Sequence, residues 1–170
     1  MPVPPDQFIK SCLPPVVDAK TRLLVLGSLP GDRSLAASRY YAHPRNQFWQ
    51  LIGAATGRDL AALDYPDRLV ALLDRGVGLW DVIASAERAG SADAAIRDAH
   101  VNDLPALARS LPLLAAIAFN GGTAARTGER AMAGVLPAVE RVALPSSSPL
   151  HAIGLDRKLP AWRTLDRFLV

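Results

Sequence analysis

The chain of 170 residues has room for one domain, and its 50% apolar content supplies a core while excluding global disorder. Its 19 Lys and Arg against 16 Asp and Glu leave a net charge of +3, too mild a bias to name a phosphate-bearing partner. No apolar run reaches the roughly 18 residues of a membrane span, and the single cysteine, Cys12, excludes an internal disulfide framework and any four-cysteine zinc or iron–sulfur site.

The start, MPVPPDQFIK, lacks the charged-then-apolar pattern of a secretory leader, so the expectation is a cytoplasmic protein. No internal repeat or linker divides residues 1–170, which are read as one domain. The proline-rich opening brackets at most one short helix around 6–12. The first strand is predicted at Arg22–Gly27, an apolar run ending at glycine, followed by an irregular stretch from Ser28 to about Arg45. A helix begins near Pro44–Asn46 and runs to about Thr56, with Phe48, Trp49, Ile52 and Ala55 on one face and Gly57 to stop it.

Further on, 66–75 reads as a helix, Gly76–Ile83 as the second strand, and 91–99 and 104–111 as short helical pieces. Leu113–Phe119 is the third strand, 122–133 the helix after it, and Val139–Leu144 the fourth strand. The C-terminal helix spaces Leu159, Trp162, Leu165, Phe168 and Leu169 along one stripe. Four buried strands separated by helices predict a three-layer α/β/α fold around a mainly parallel four-stranded sheet. Ligands of such sheets bind in the loops beyond the strands' carboxyl ends.

Two of those loops carry chemistry. The first, Gly27-Ser28-Leu29-Pro30-Gly31-Asp32, is a tight turn, neither a Walker loop nor a dinucleotide fingerprint. It leads to Tyr40-Tyr41-Ala42-His43-Pro44-Arg45-Asn46-Gln47-Phe48-Trp49, where aromatic faces suited to stacking on a base meet polar groups that can bind a heterocycle or place a water. Each has a plainer reading: Tyr40 packing, His43 satisfied and half-buried, Asn46 a helix cap. The second loop, Pro145 to His151, offers the hydroxyls of Ser146, Ser147 and Ser148 and its N–H groups to a phosphate.

The stretch GSLPG…YYAHPRNQFWQLIG resembles the start of the uracil-DNA glycosylase superfamily, particularly its mismatch-specific uracil/thymine branch. The paired tyrosines and the GSxPG turn are closest to the hypoxanthine-DNA glycosylase family within it. The resemblance implies an enzyme that excises a deaminated base, hypoxanthine first and uracil second, from DNA carrying a damaged or mispaired base. It implies no cofactor and no metal, and a monomer is expected. Tyr41 falls where the family stacks an aromatic on the extruded base, and Gly27, Ser28 and Leu29 fall in the first catalytic motif. Leu29 stands where the mismatch branch keeps its water-activating asparagine, which moves that task to Asn46, as in the hypoxanthine family. Asp32 and His43 are reserve candidates for the water or the leaving base.

Within the second motif, Leu150 takes the position of the wedge that fills the hole left by a flipped nucleotide, and His151 is placed beside phosphate or sugar. Asp81 occupies the region where relatives read the edge of the base, although a helix cap explains it equally well. Asn120, before Gly121 and Gly122, is a phosphate contact or simply a turn residue. Two other readings remain: a non-catalytic nucleic-acid or nucleotide-binding module on the same scaffold, and a serine hydrolase, which lacks a G-x-S-x-G elbow.

Overall fold

In the computed structural model, which describes residues 8–170, the four apolar runs form one sheet. In chain order the elements are β1 (Ile9–Ser11), β2 (Leu23–Gly27), α1 (Asp32–Ala37), α2 (Phe48–Thr56), α3 (Tyr65–Asp74), β3 (Val77–Asp81), β4 (Ile83–Glu87), β5 (Arg97–Val101), α4 (Leu104–Ser110), β6 (Ala116–Asn120), α5 (Gly122–Ala131), β7 (Glu140–Leu144) and α6 (Leu155–Arg163). Short 3₁₀ turns lie at Leu60–Ala62, Asp93–Ala95 and Thr164–Phe168.

The main sheet has the order β3-β2-β6-β7, and every pairing in it is parallel. Side chains alternate between its faces with a period of two. Leu23, Val25, Leu79, Ala116 and Ala118 pack against Phe48, Ile52, Leu72 and Trp162 of α2, α3 and α6. Leu24, Leu26, Ile117 and Phe119 pack on the opposite side against Leu104, Ala108 and Ala124 of α4 and α5. Gly128 sets how close α5 lies, since a Cβ there would fall 2.2 Å from the Phe119 ring. The three-layer α/β/α architecture expected from the four apolar runs is the observed one. Among the described residues no helix is long and apolar enough to cross a membrane.

A second, antiparallel sheet of order β1-β4-β5 was not legible. The helix expected over 6–12 lies partly outside the described residues, and its remainder is a strand, with Ile9 opposite Glu87 and Ser11 opposite Ser85. The strand expected over Gly76–Ile83 breaks at Val82: β3 stays in the main sheet, and β4 leaves it for the small one. Of the helical piece expected at 91–99, only Asp93–Ala95 is helical, and Arg97–Val101 is a strand exposed at every residue. The stretch after β2 is not wholly irregular, since it contains α1.

Register is what positions the site. Gly27 pairs with Asp81, Leu26 with Phe119, and Asn120 with Leu144, so the four strands finish nearly level.

Candidate active site

Gly27 is the close approach at the centre of this row. A Cβ built there would lie 2.7 Å from Asp81 Oδ1 and 3.1 Å from the Tyr41 hydroxyl, so glycine lets the two side chains converge over β2. Asp81 is 4% exposed, and its Oδ2 is buried without a hydrogen-bond partner. Its main-chain carbonyl accepts from Asn102 Nδ2 at 2.8 Å. Burial pushes the carboxyl up to about 7; Arg88 pulls against the rise and Asp93 adds to it.

Tyr41 reaches the row from the loop before α2. Its backbone is left-handed at φ 54°, uncommon for a bulky residue. Trp49 Nε1 holds it by donating to the Tyr41 carbonyl at 3.2 Å. Its ring stacks on Phe48, with centroids 3.9 Å apart and planes 18° from parallel. Asn120 Nδ2 donates to its hydroxyl at 3.3 Å, and burial, followed by the charge of Asp81, raises the phenol far above neutrality. Tyr40 is a core residue whose hydroxyl donates to the carbonyl of Pro14 at 2.7 Å.

Asn46 opens α2: its Oδ1 accepts the Phe48 N–H at 3.0 Å, the capping reading made concrete. That bond leaves a second lone pair on Oδ1 and the two N–H donors of the carboxamide. His43 Nδ1 accepts from the Arg45 N–H at 3.0 Å, which places the proton of the neutral ring on Nε2. Partial desolvation, Arg33 and Arg45 all lower its pKa, so the ring is neutral at pH 7. Tyr41, His43 and Asn46 line a cleft of ≈ 540 Å³ together with Trp49, Tyr65 and Arg68. Gly27 and Asp81 are not part of its lining, and Tyr41 is common to both groups.

The first loop is clamped from the small sheet. The carbonyls of Gly27 and Ser28 accept from Val82 and Ile83 N–H at 2.8 and 3.0 Å. Ser28 Oγ donates to Asp93 Oδ1 at 2.7 Å. The guanidinium of Arg88, 1% exposed, donates to the carbonyls of Leu29, Pro30 and Gly90. Leu29 itself is buried in the apolar core, so it offers the site main-chain groups only. Asp32 is an exposed residue whose carboxylate pairs with Lys10 Nζ at 2.6 Å, a partner the sequence did not suggest.

The last loop is fixed from beneath. Ser147 is 1% exposed; its N–H donates to Asn120 Oδ1 at 2.8 Å, and its Oγ accepts from Asn120 Nδ2 at 2.9 Å. Asn120 and Ser147 therefore face inward and tie the last loop to Tyr41 instead of presenting their side chains to solvent. Ser146 Oγ accepts from Ser148 N–H at 3.1 Å, and Ser148 Oγ accepts from Leu150 N–H at 3.2 Å, so both hydroxyls shape the turn and keep donor capacity. Gln47 N–H reaches the Ser147 carbonyl at 3.0 Å and joins the two loops. From α6, Trp162 Nε1 holds the Pro145 carbonyl at 3.0 Å and Lys158 Nζ the Ser148 carbonyl at 3.3 Å. Above this bracing Leu150 is 70% exposed, and His151 is exposed beside it.

Sequence reasoning missed Arg88 and Lys158. Lys158 falls three residues after Leu155 and four before Trp162, on the buried stripe of α6, where a helical wheel flags it. Nothing in the surrounding SAERAG marks Arg88.

A level row of parallel strand ends that carries a stacked tyrosine, a buried carboxyl and a braced serine loop is the ligand end of an open α/β sheet. The chain belongs to the uracil DNA glycosylase superfamily, whose family model matches residues 14–166. That makes it a DNA glycosylase, a hydrolase of N-glycosyl bonds acting on DNA. It is 41% identical over 160 residues to a Methanosarcina acetivorans protein named hypoxanthine DNA glycosylase, covering 94% of this chain and 99% of that one. A Methanosarcina barkeri protein of the same name is 44% identical over 112 residues, covering 66% of this chain and 71% of its own. The solution NMR structure of a candidate uracil DNA glycosylase from Methanosarcina acetivorans superposes with a TM-score of 0.81 at 38% identity, covering 94% of this chain and 97% of that one.

Proposed function

We propose that the protein is a monofunctional DNA glycosylase that removes hypoxanthine, and secondarily uracil, from damaged or mispaired DNA. The convergence of Tyr41 and Asp81 over Gly27 carries this reading: a ring face and a polar edge reader meet at one strand end, and nearby loops supply the remaining groups. Extruding the nucleotide costs a few kcal/mol, least at a mispaired base. The freed base stacks on Tyr41, whose ring is stiffened by Phe48, and presents its polar edge to Asp81.

Breaking the N-glycosidic bond passes through an oxocarbenium-like sugar, so the requirement is electrostatic stabilisation and a placed water more than a strong base. Asn46 holds that water through its carboxamide N–H groups and the second lone pair of Oδ1 while capping α2. His43, neutral with its proton on Nε2, is a donor within the same segment. Ser146, Ser148, the loop N–H groups and His151 meet a phosphate–sugar step, and Leu150 fills the vacated stack. Asn120 and Ser147 position this loop against Tyr41. The enzyme works as a monomer of one domain in the cytoplasm.

The test is a set of duplexes, each carrying one hypoxanthine, uracil, xanthine or G·T mismatch, assayed for abasic sites by alkaline strand cleavage. Hypoxanthine should be released fastest. Binding without any abasic product would make the protein a binding module on this scaffold.

A further inference from the structure

Asp81 stands out among the buried polar groups. Its Oδ2 has no hydrogen-bond partner, and no Lys, Arg or His among the described residues pairs with it. The cation whose charge acts on it, Arg88, spends its guanidinium on the carbonyls of Leu29, Pro30 and Gly90. The other titratable groups around it are Tyr40 and Tyr41, which stay neutral, and Asp93, whose charge disfavours a second negative charge at this point. Asn102 reaches only the main-chain carbonyl of Asp81, and in turn contacts Cys12. A carboxyl this buried, with no cation or donor paired to it, is shifted toward the neutral acid, because the ion would face a desolvation cost that Arg88 offsets only in part.

We propose that Asp81 recognises the extruded base as a carboxylic acid, its O–H and C=O meeting the C=O and N–H of a lactam edge in one cyclic pair. This rests on the glycosylase reading above and specifies the protonation state in which the site meets the base. Hypoxanthine carries that edge at N1–H and C6=O, and uracil carries it at N3–H and C4=O, so one side chain serves both. An ionised carboxylate, with two acceptors, would set one of them against the base carbonyl. Guanine and thymine carry the same lactam edge, so the protonation state governs whether this pair forms and does not by itself exclude an ordinary base. Gly27 completes the arrangement, because any Cβ there would displace Oδ1. The shift of the free carboxyl to about 7 agrees with this geometry.

Two measurements on the full chain test the proposal. In the first, carboxyl-carbon NMR follows the titration of Asp81, assigned by its disappearance in Asp81→Asn. The midpoint should lie near 7 and rise when free hypoxanthine is added, since the base binds the acid form. A midpoint in the ordinary aspartate range, or one that hypoxanthine lowers, overturns the proposal whether or not the protein proves to be an enzyme. The second compares kcat/KM for a hypoxanthine duplex in wild type and Asp81→Asn. With the acid required, the wild-type value should fall about 30-fold between pH 6 and pH 8.5. Asp81→Asn, whose amide keeps one donor and one acceptor, should stay within about threefold across that range. An equal alkaline fall in both proteins assigns the titration to another group and refutes the role. If wild type releases no base from any duplex, the glycosylase reading fails by itself, and the NMR result still decides the state of Asp81.

Discussion

Replacing Asn120 by alanine separates two roles for one residue. As a phosphate contact, Asn120 would be dispensable for folding, and its loss would weaken DNA binding and lower the salt slope by about 1. As observed, its carboxamide spans the buried Ser147 and the Tyr41 hydroxyl with three hydrogen bonds. The 3.3 Å bond to Tyr41 is the weakest. The bond from Ser147 N–H, at 2.8 Å, is the costly one to lose, because Ser147 is 1% exposed and water cannot replace the acceptor. A stranded buried donor costs about 1–3 kcal/mol, and each remaining bond contributes about 1 kcal/mol net. Asn120→Ala should therefore lose about 3–5 kcal/mol, which for a domain of this size lowers Tm by roughly 6–20 °C. Asn120→Asp should recover part of this, since the hydroxyls of Ser147 and Tyr41 can rotate to donate to a carboxylate. Thermal unfolding by circular dichroism and salt-titrated binding to a hypoxanthine duplex measure the two quantities. A Tm within about 2 °C of wild type together with a reduced salt slope would refute the inward, bracing role.

Asn46→Ala should abolish excision and, by uncapping α2, cost about 1 kcal/mol of stability. Asn46→Asp keeps the bond from Phe48 N–H and lacks the carboxamide donors, so it should fold like wild type and still fail to excise; normal turnover in either variant removes Asn46 from catalysis. Leu150→Ala should slow release from duplex more than from single strands, and equal losses on both would argue against a wedge. Gly27→Ala places a methyl 2.7 Å from Asp81 Oδ1 and should cost about 1–3 kcal/mol along with most activity, whereas wild-type kinetics would mean the convergence over β2 is slack. Because Asp81 has a raised folded pKa, the folded state holds a proton that the unfolded chain has released between pH 3.8 and about 7. Its contribution is fully present below that window and is lost as pH rises through it, at about 1.4 kcal/mol per pH unit. The stability of Asp81→Asn relative to wild type should thus grow from pH 4 to pH 7 in urea titrations, and a constant difference would contradict the shift.

The main sheet was legible because its strands are unbroken apolar runs: Leu23 to Gly27 are buried on both faces, and Ala116 to Asn120 likewise. The small sheet was not, because Arg97–Val101 exposes every residue and Ile9–Ser11 is three residues long, leaving no alternation to read. Its pairing is dictated by tertiary context, by β4 leaving the main sheet at Val82 with an edge to satisfy. The 40–49 segment and the serine loop were found because unusual residue types cluster there. What the sequence did not carry is direction. Asn120 and Ser147 look the same on paper whether they face a phosphate or each other, and the 27-residue separation between them hides the bond. Asp32 likewise reads as a free acid until Lys10, from β1, is seen beside it.

The even finish of the four strands bears on how such enzymes diversify. Gly27, Asp81 and Asn120 stand at fixed rungs of one ladder, so on the proposed reading the place of the base is set by hydrogen-bond register and not by the length or content of the loops above it. On the proposed reading, an apolar residue such as the buried Leu29 can stand in one loop while a group in a neighbouring loop places the water, without relocating the pocket. An inserted residue within a strand has no such freedom, since it turns every following side chain to the opposite face. New base preferences should therefore arise by exchange of loops and of the residues at those few rungs, while strand lengths stay constant.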